Sequence, residues 1–173
     1  MRIEIRLAYN DAENVRELFD EYTKMLVEND SGFSKYLDIQ GYADELADLE
    51  GKYGLPTGRL YIAYANGQPA GCIALRPLGQ KRCEMKRLYV RPRYRGKKIG
   101  KALVDTVIND AIRIGYDCMM LDTLPTLEKA ISMYLKHGFY EAPPYNDSPV
   151  EKTAFYRLDL DEAICSHPGA NNL

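Results

Sequence analysis

Residues Leu88–Val104 read LYVRPRYRGKKIGKALV. A strand-like run ends at Arg91-Pro92, a basic turn bearing Gly96 follows, and from Ile99 the apolar residues recur at helical spacing. The first amides of a helix have no partner within it and point outward, and the helix dipole adds positive potential there. Strand, turn and helix start in that order make an anion site from backbone alone. Arg93, Arg95, Lys97, Lys98 and Lys101 crowd further positive charge around it. A cluster of lysine and arginine at a turn is more often a solvated face. Its place between a strand and a helix, where amides converge with side chains, favours a phosphate-bearing ligand instead.

Spacing excludes two such ligand sites. A P-loop needs four residues between its first glycine and a Gly-Lys-Ser/Thr. Gly96 and Gly100 are closer than that, and Lys101 is followed by Ala102, which has no hydroxyl for magnesium. The dinucleotide pattern G-x-G-x-x-G is absent too: Gly51, Gly54 and Gly58 neither match it nor follow a strand.

A chain of 173 residues can bury one sizeable core, so residues 1–160 read as a single domain and 161–173, polar and rich in Pro, Gly and Asn, as a tail. A net charge of −2 argues against a general nucleic-acid binder and makes the basic turn a local device. Cys72, Cys83, Cys118 and Cys165 form no C-x-x-C pair and no metal-like spacing with His137 or His167. The first three sit in apolar strand-like runs, as buried free thiols of a reducing compartment do. The N-terminus has no apolar core of signal-peptide length, and no run reaches membrane-span length, so the expectation is a cytoplasmic protein without membrane or nucleic-acid partners, a monomer or homodimer.

Outward from the turn, Arg2–Ala8 alternates as a half-buried strand, and Asn10 with Glu13 reads as the capping box of a helix carrying Val15, Leu18, Phe19, Tyr22, Met25 and Leu26. A weaker helix is expected over Gly41–Glu50, then a loop over Gly51–Gly58. Strands are expected at Leu60–Tyr64 and Ala70–Leu75 around the Asn66-Gly67 turn, and at Arg82–Val90 after a turn at Pro77–Lys81. The helix from Ile99 stops at Gly115, and Cys118–Leu121 is a short strand buried on both faces. A helix after Thr126 ends at Gly138, and Thr153–Leu160 is a last strand. The order is β-α-α-β-β-β-α-β-α-β(-β), an α/β (α+β) fold with a central mixed sheet flanked by helices.

The turn Arg95-Gly-Lys-Lys-Ile-Gly100 resembles the pyrophosphate-binding turn of the GNAT superfamily of acyl-coenzyme A-dependent N-acyltransferases, whose pattern is Arg/Gln, two residues, Gly, one residue, Gly/Ala. Arg95 and Gly100 are in register, with Lys98 where the first glycine is usual. In ordinary helical geometry, Lys98 would still present its N–H. The strand Cys83-Glu-Met-Lys-Arg-Leu-Tyr-Val90 is similar to the family's fourth strand, and Ala130-Ile-Ser-Met-Tyr-Leu-Lys-His-Gly-Phe139 to the helix and Gly-Phe that close its coenzyme site. The segment from Gly138 to Asp147 is similar to a branch of small bacterial members. The resemblance spans roughly Leu60 to Leu160.

What it implies is direct transfer of acetyl from acetyl-coenzyme A, a co-substrate, to an amine, with no metal. Leu88, Tyr89 and Val90 would pair with the pantetheine arm through their backbone, and Arg95, Gly96, Lys97, Lys98, Ile99, Gly100 and Lys101 would hold the pyrophosphate. The amide of Tyr89 or Leu88 would stabilise the oxyanion. Glu84 stands where some members carry the general base, acting through water; its plain alternative is a strand carboxylate paired with Lys86. Tyr134 would lie at the coenzyme sulfur and protonate the thiolate; its plain alternative is a core aromatic. Leu127 replaces an Asn that touches pantetheine in many relatives, and Asp122-Thr123 can take that place. Cys83, with no suitably placed histidine, reads as a structural thiol, and His137 as a helix C-terminal cap. For the acceptor, Tyr36, Asp38, Arg76, Tyr145 and Asn146 are the candidates, between the 30–55 region and the loop stiffened by Pro143 and Pro144. Two rivals stand beside this reading: a transferase using a longer acyl group such as succinyl, and a non-catalytic coenzyme A-binding regulatory module.

Overall fold

The computed structural model describes residues 1–29, 41–148 and 153–160. Seven strands form one sheet in the order β1-β2-β3-β4-β5-β7-β6. They are β1 (Ile3–Leu7), β2 (Arg59–Ala65), β3 (Gln68–Gly79), β4 (Arg82–Val90), β5 (Cys118–Thr123), β6 (Tyr140–Glu141) and β7 (Ala154–Asp159). The described helices are α1 (Ala12–Asn29), α2 (Tyr42–Ala47), α3 (Leu49–Tyr53), α4 (Ile99–Ile114) and α5 (Glu128–Lys136), with a short 3-10 turn at Pro92–Tyr94. Strands β1 to β4 run as an antiparallel meander, β4 pairs parallel with β5, and β5 pairs antiparallel with β7.

Strand alternation sorts the core into two layers. Ala63, Ala65, Ile73 and Leu75 pack with Leu103, Val104 and Val107 of α4 on one face. Leu60, Ile62, Cys72 and Ala74 pack with Val15, Leu18 and Phe19 of α1 on the other. In β4 this alternation inverts. Cys83 and Met85 belong to the α4 face, whereas Tyr89, four residues beyond Met85 and in the same parity, belongs to the α1 face. The cause is a bulge: the register jumps from Ala74↔Lys86 to Cys72↔Tyr89, and Arg87 takes a left-handed φ of 57°.

Several expected boundaries move, each for a local reason. Helix α1 is capped by Asp11 rather than Asn10, since the Asp11 carbonyl accepts the first helical bond, from Val15. The single helix expected over Gly41–Glu50 is two, broken at Asp48, whose side chain accepts from the Gly51 amide and starts α3 inside the expected loop. Strand β3 runs on to Gly79, and the turn after it is made by Gln80 and Lys81, both at positive φ. Cys72, Cys83 and Cys118 are buried and unpaired, as expected; Cys165 and His167 lie outside the described residues.

Candidate active site: a wedge where two strands part

Parallel pairing of β4 with β5 covers only Arg82–Glu84 against Cys118–Met120. Beyond it the strands part, β4 continuing beside β3 while β5 continues beside β7. The Arg91 amide donates to the Ala70 carbonyl, and the Tyr89 amide lies against the Cys72 thiol, so these residues bond toward β3. By alternation Leu88 and Val90 turn their backbone groups the other way, into the gap. The gap closes inward into a cavity of about 50 Å³ walled by Tyr22, Lys86, Leu88, Asp122, Thr123 and Tyr134 among others.

Outward the gap opens into a cleft of about 640 Å³ that ends at the basic turn. Leu88, Tyr89, Val90, Arg95, Gly96, Lys98, Ile99, Gly100 and Lys101 all line it. Lys97 does not; its ammonium stands 5.7 Å from the Tyr94 ring. Lys98 departs from expectation. It is not in helical geometry but left-handed, at φ 64° and ψ 10°, as the residue that caps α4. Gly96 is left-handed too, at φ 77°. This double reversal folds the turn back on itself, so that the amides of Ile99, Gly100 and Lys101 face the cleft without helical partners. Arg95 spans the mouth, its Nε donating to the Val90 carbonyl at 3.1 Å while Nη2 reaches Met25 Sδ at 3.4 Å. Such a cradle of free amides and cations fits a pyrophosphate.

Helix α1 forms the opposite wall. Arg91 fastens it to the end of β4 through Glu21 at 2.8 Å and Glu17 at 2.9 Å, and this sets Tyr22 and Met25 over the cleft. In the sequence these two are indistinguishable from the rest of the helix's apolar stripe; only the docking of α1 singles them out.

Tyr134 is buried, edged against Phe139 at 5.8 Å between ring centres, and its hydroxyl has no hydrogen-bond partner among the described residues. Burial pushes its phenol well above the ordinary value, and nearby Tyr22 and Asp122 add to the shift. It therefore stays protonated at neutral pH.

Glu84 sits at the foot of the gap, fully buried and off the cavity wall. Its carboxylate accepts from Arg76 Nε, from the Tyr145 hydroxyl at 2.8 Å and from Lys86 Nζ at 3.4 Å. Lys86 also lies 3.7 Å from Asp122, whose other oxygen accepts from Asn146 Nδ2 at 3.1 Å. The fold thus gathers Arg76, Tyr145 and Asn146 around the two carboxylates. Tyr36 and Asp38 lie outside the described residues. His137 caps α5, its ring nitrogens 2.8 Å from the Met133 carbonyl and 3.0 Å from Asp105.

A second buried cation was not singled out in the sequence. Strict alternation would send Arg87 to the α4 face, but the bulge turns it to the same face as Lys86. There it forms a bidentate pair with Glu45 of α2, at 2.7 and 2.8 Å, and packs over Tyr42 and Phe19. Burial alone would raise the Glu45 carboxyl; Arg87 and Lys52 outweigh it and hold the group at about 2.

A sheet parted after its fourth strand, with an anion-binding helix start at the mouth of the split, is the architecture of acyl-coenzyme A-dependent transferases. The sequence profile of the "Acetyltransferase (GNAT) family" matches residues 14–139. The chain belongs to the GNAT family. It is 39% identical over 145 residues to an uncharacterized N-acetyltransferase of Schizosaccharomyces pombe, covering 83% of this chain and 89% of that one. A GNAT-family acetyltransferase of Staphylococcus aureus Mu50 superposes with a TM-score of 0.75 at 26% identity, over 92% of this chain and 99% of that one. The PaiA N-acetyltransferase of Thermoplasma acidophilum, solved with coenzyme A, shares the fold at a TM-score of 0.68 and 22% identity, over 92% and 99% of the two chains. No described helix is long and apolar enough to cross a membrane.

Proposed function

We propose that the protein transfers acetyl from acetyl-coenzyme A directly to a primary amine of a small molecule or peptide. The observation that carries this reading is the wedge itself: two adjoining cavities that share Tyr22, Leu88 and Leu127, one lined by the amide-and-cation cradle and the other by Tyr134, whose hydroxyl has no partner among the described residues. Gly96, Lys98, Ile99, Gly100, Lys101 and Arg95 hold the pyrophosphate, and the backbone of Leu88 and Val90 pairs with the pantetheine arm. Bound there, acetyl-coenzyme A supplies an acetyl thioester. Asp122 and Thr123 sit on the inner wall, and Leu127 lines both chambers with apolar surface.

Each group then has a physical task. Of the two amides considered for the oxyanion, that of Leu88 is favoured, because the Tyr89 amide is turned toward Cys72. Tyr134 keeps its proton and gives it to the leaving sulfur. Glu84, expected as a base through water, is enclosed by Arg76, Lys86 and Tyr145, which suits the role of fixing those three beside the cavity. The inner chamber of about 50 Å³ suits an acetyl group and a reacting nitrogen better than a succinyl chain.

The test is thiol release from acetyl-coenzyme A against a panel holding a free amino acid, an aliphatic polyamine and a lysine-bearing peptide. Turnover with one of them supports the enzyme reading. Tight acetyl-coenzyme A binding with no release from any of them favours the regulatory module, and faster release from succinyl-coenzyme A favours the longer donor.

A further inference from the structure

The inner chamber has one carboxylate on its described wall, and it is Asp122 rather than Glu84. The Asp122 side chain is 9% exposed, at the open end of β5 where pairing with β4 has ceased. It faces Tyr134 of α5 and Tyr22 of α1 closely enough to raise both phenols. Beside it, Asn146 donates Nδ2 to Asp122, which fixes the amide's orientation, because the flipped amide would set oxygen against oxygen. That orientation leaves Asn146 Oδ1 buried with no hydrogen-bond partner. A buried acceptor without a donor is costly, and the bond to Asp122, from behind the chamber wall, is what offsets it.

We infer that Asp122 receives the acceptor's ammonium group and is the catalytic residue that takes its proton, with Asn146 holding its carboxylate in place. This rests on the acetyltransferase reading above and names the group that reading leaves open. A primary ammonium has three N–H donors. The Asp122 carboxylate on the chamber wall accepts at least one of them, leaving the nitrogen in the cavity that Tyr134 also lines. Lys86, 3.7 Å from Asp122, makes a second cation there unfavourable and so favours the neutral amine once the proton has moved. The small chamber admits the end of an unhindered primary amine and keeps the body of the acceptor outside.

The step balances. The ammonium gives one proton to the Asp122 carboxylate, and the freed lone pair forms the C–N bond as the thioester C–S bond breaks. Sulfur leaves with the electron pair and takes the Tyr134 proton. The phenolate regains a proton from the nitrogen, and Asp122 releases its own to water. One ammonium and one thioester give one amide, one thiol and one proton.

The experiment compares Asp122→Asn, Asp122→Glu, Asn146→Ala and Glu84→Gln with the wild type, in turnover and in calorimetric binding of the panel amines with coenzyme A present. Expected is a loss of about a hundredfold or more in kcat for Asp122→Asn, with the KM for acetyl-coenzyme A and the melting temperature unchanged. Asp122→Glu should restore part of it. Asn146→Ala, on a loop, should lower kcat several-fold, less than Asp122→Asn does, with the KM for acetyl-coenzyme A unchanged. Glu84→Gln should cost less kcat than Asp122→Asn. If the wild type turns over and Asp122→Asn keeps more than a third of its kcat, Asp122 is not the proton acceptor and the inference falls alone. If the wild type neither turns over nor binds any of the amines, the inference falls together with the acetyltransferase reading.

Discussion

Replacing Glu45 by Gln removes a charge while keeping the shape, and the structure states what should follow. Glu45 and Arg87 are 0% and 3% exposed at their side chains and joined bidentately, with Lys52 and the Tyr53 hydroxyl on the same carboxylate. The carboxyl sits at about 2 in the fold against its ordinary 4.5. At about 1.4 kcal/mol for each pH unit between those values, the ionised pair contributes about 3 kcal/mol at neutral pH. A folded value below the unfolded one means that this stability is present above pH 4.5 and is lost as pH falls toward 2. By the same linkage, less than half of it, about 1 kcal/mol, should survive at pH 3. Glu45→Gln should therefore cost about 3 kcal/mol at pH 7, in line with leaving a buried guanidinium unpaired, and lower the melting point by about 6–12 °C. Because Arg87 holds the bulge that aims Leu88 into the gap, kcat should fall as well. Urea unfolding of both proteins at pH 7 and pH 3 is the assay. If the variant loses less than about 1 kcal/mol at pH 7, or the gap between the proteins does not narrow at pH 3, the buried pair is not what secures the bulge.

Tyr134→Phe should lower kcat by about a hundredfold and leave the KM for acetyl-coenzyme A within twofold, as measured by steady-state thiol release; a matching rise in KM would make Tyr134 a binding residue instead. Lys98→Gly should keep acetyl-coenzyme A binding and, by relieving a left-handed lysine, shift stability by no more than about 1 kcal/mol in the favourable direction, read by thermal melting. Gly100→Asp should abolish that binding in calorimetry. A β-carbon there meets Val90 and Met133 only at ordinary contact distances of 3.7 and 3.8 Å, so the added charge in the cradle, not a clash, is the cause. Burial pushes the Cys72 and Cys83 thiols well up, so an aromatic disulfide reagent at pH 8 should modify neither until the protein unfolds.

Much of the architecture lay in local pattern. The Asn66-Gly67 hairpin, the helix from Ile99 to its stop at Gly115 and the doubly buried Cys118–Leu121 strand each depend on a few neighbouring residues, and each stands where expected. The Leu88–Lys101 segment carried its anion site in its own composition, because strand end, turn and free amides are adjacent in the chain. What the sequence could not disclose is whatever depends on pairing across distance. The left-handed Lys98 follows from how the turn closes against the cleft, and nothing in a lysine foretells it. Parting of β4 from β5 is the loss of a partner 36 residues away, and the bulge at Arg87 is a slip against β3. That slip turns two neighbouring cations to one face, toward Glu45 and Asp122. The chain by itself therefore determined the family and the basic, amide-rich turn at the mouth of the cleft. Only the tertiary structure decided which carboxylate borders the inner cavity, because burial behind Arg76 and Lys86 removes Glu84 from the wall and leaves Asp122 on it.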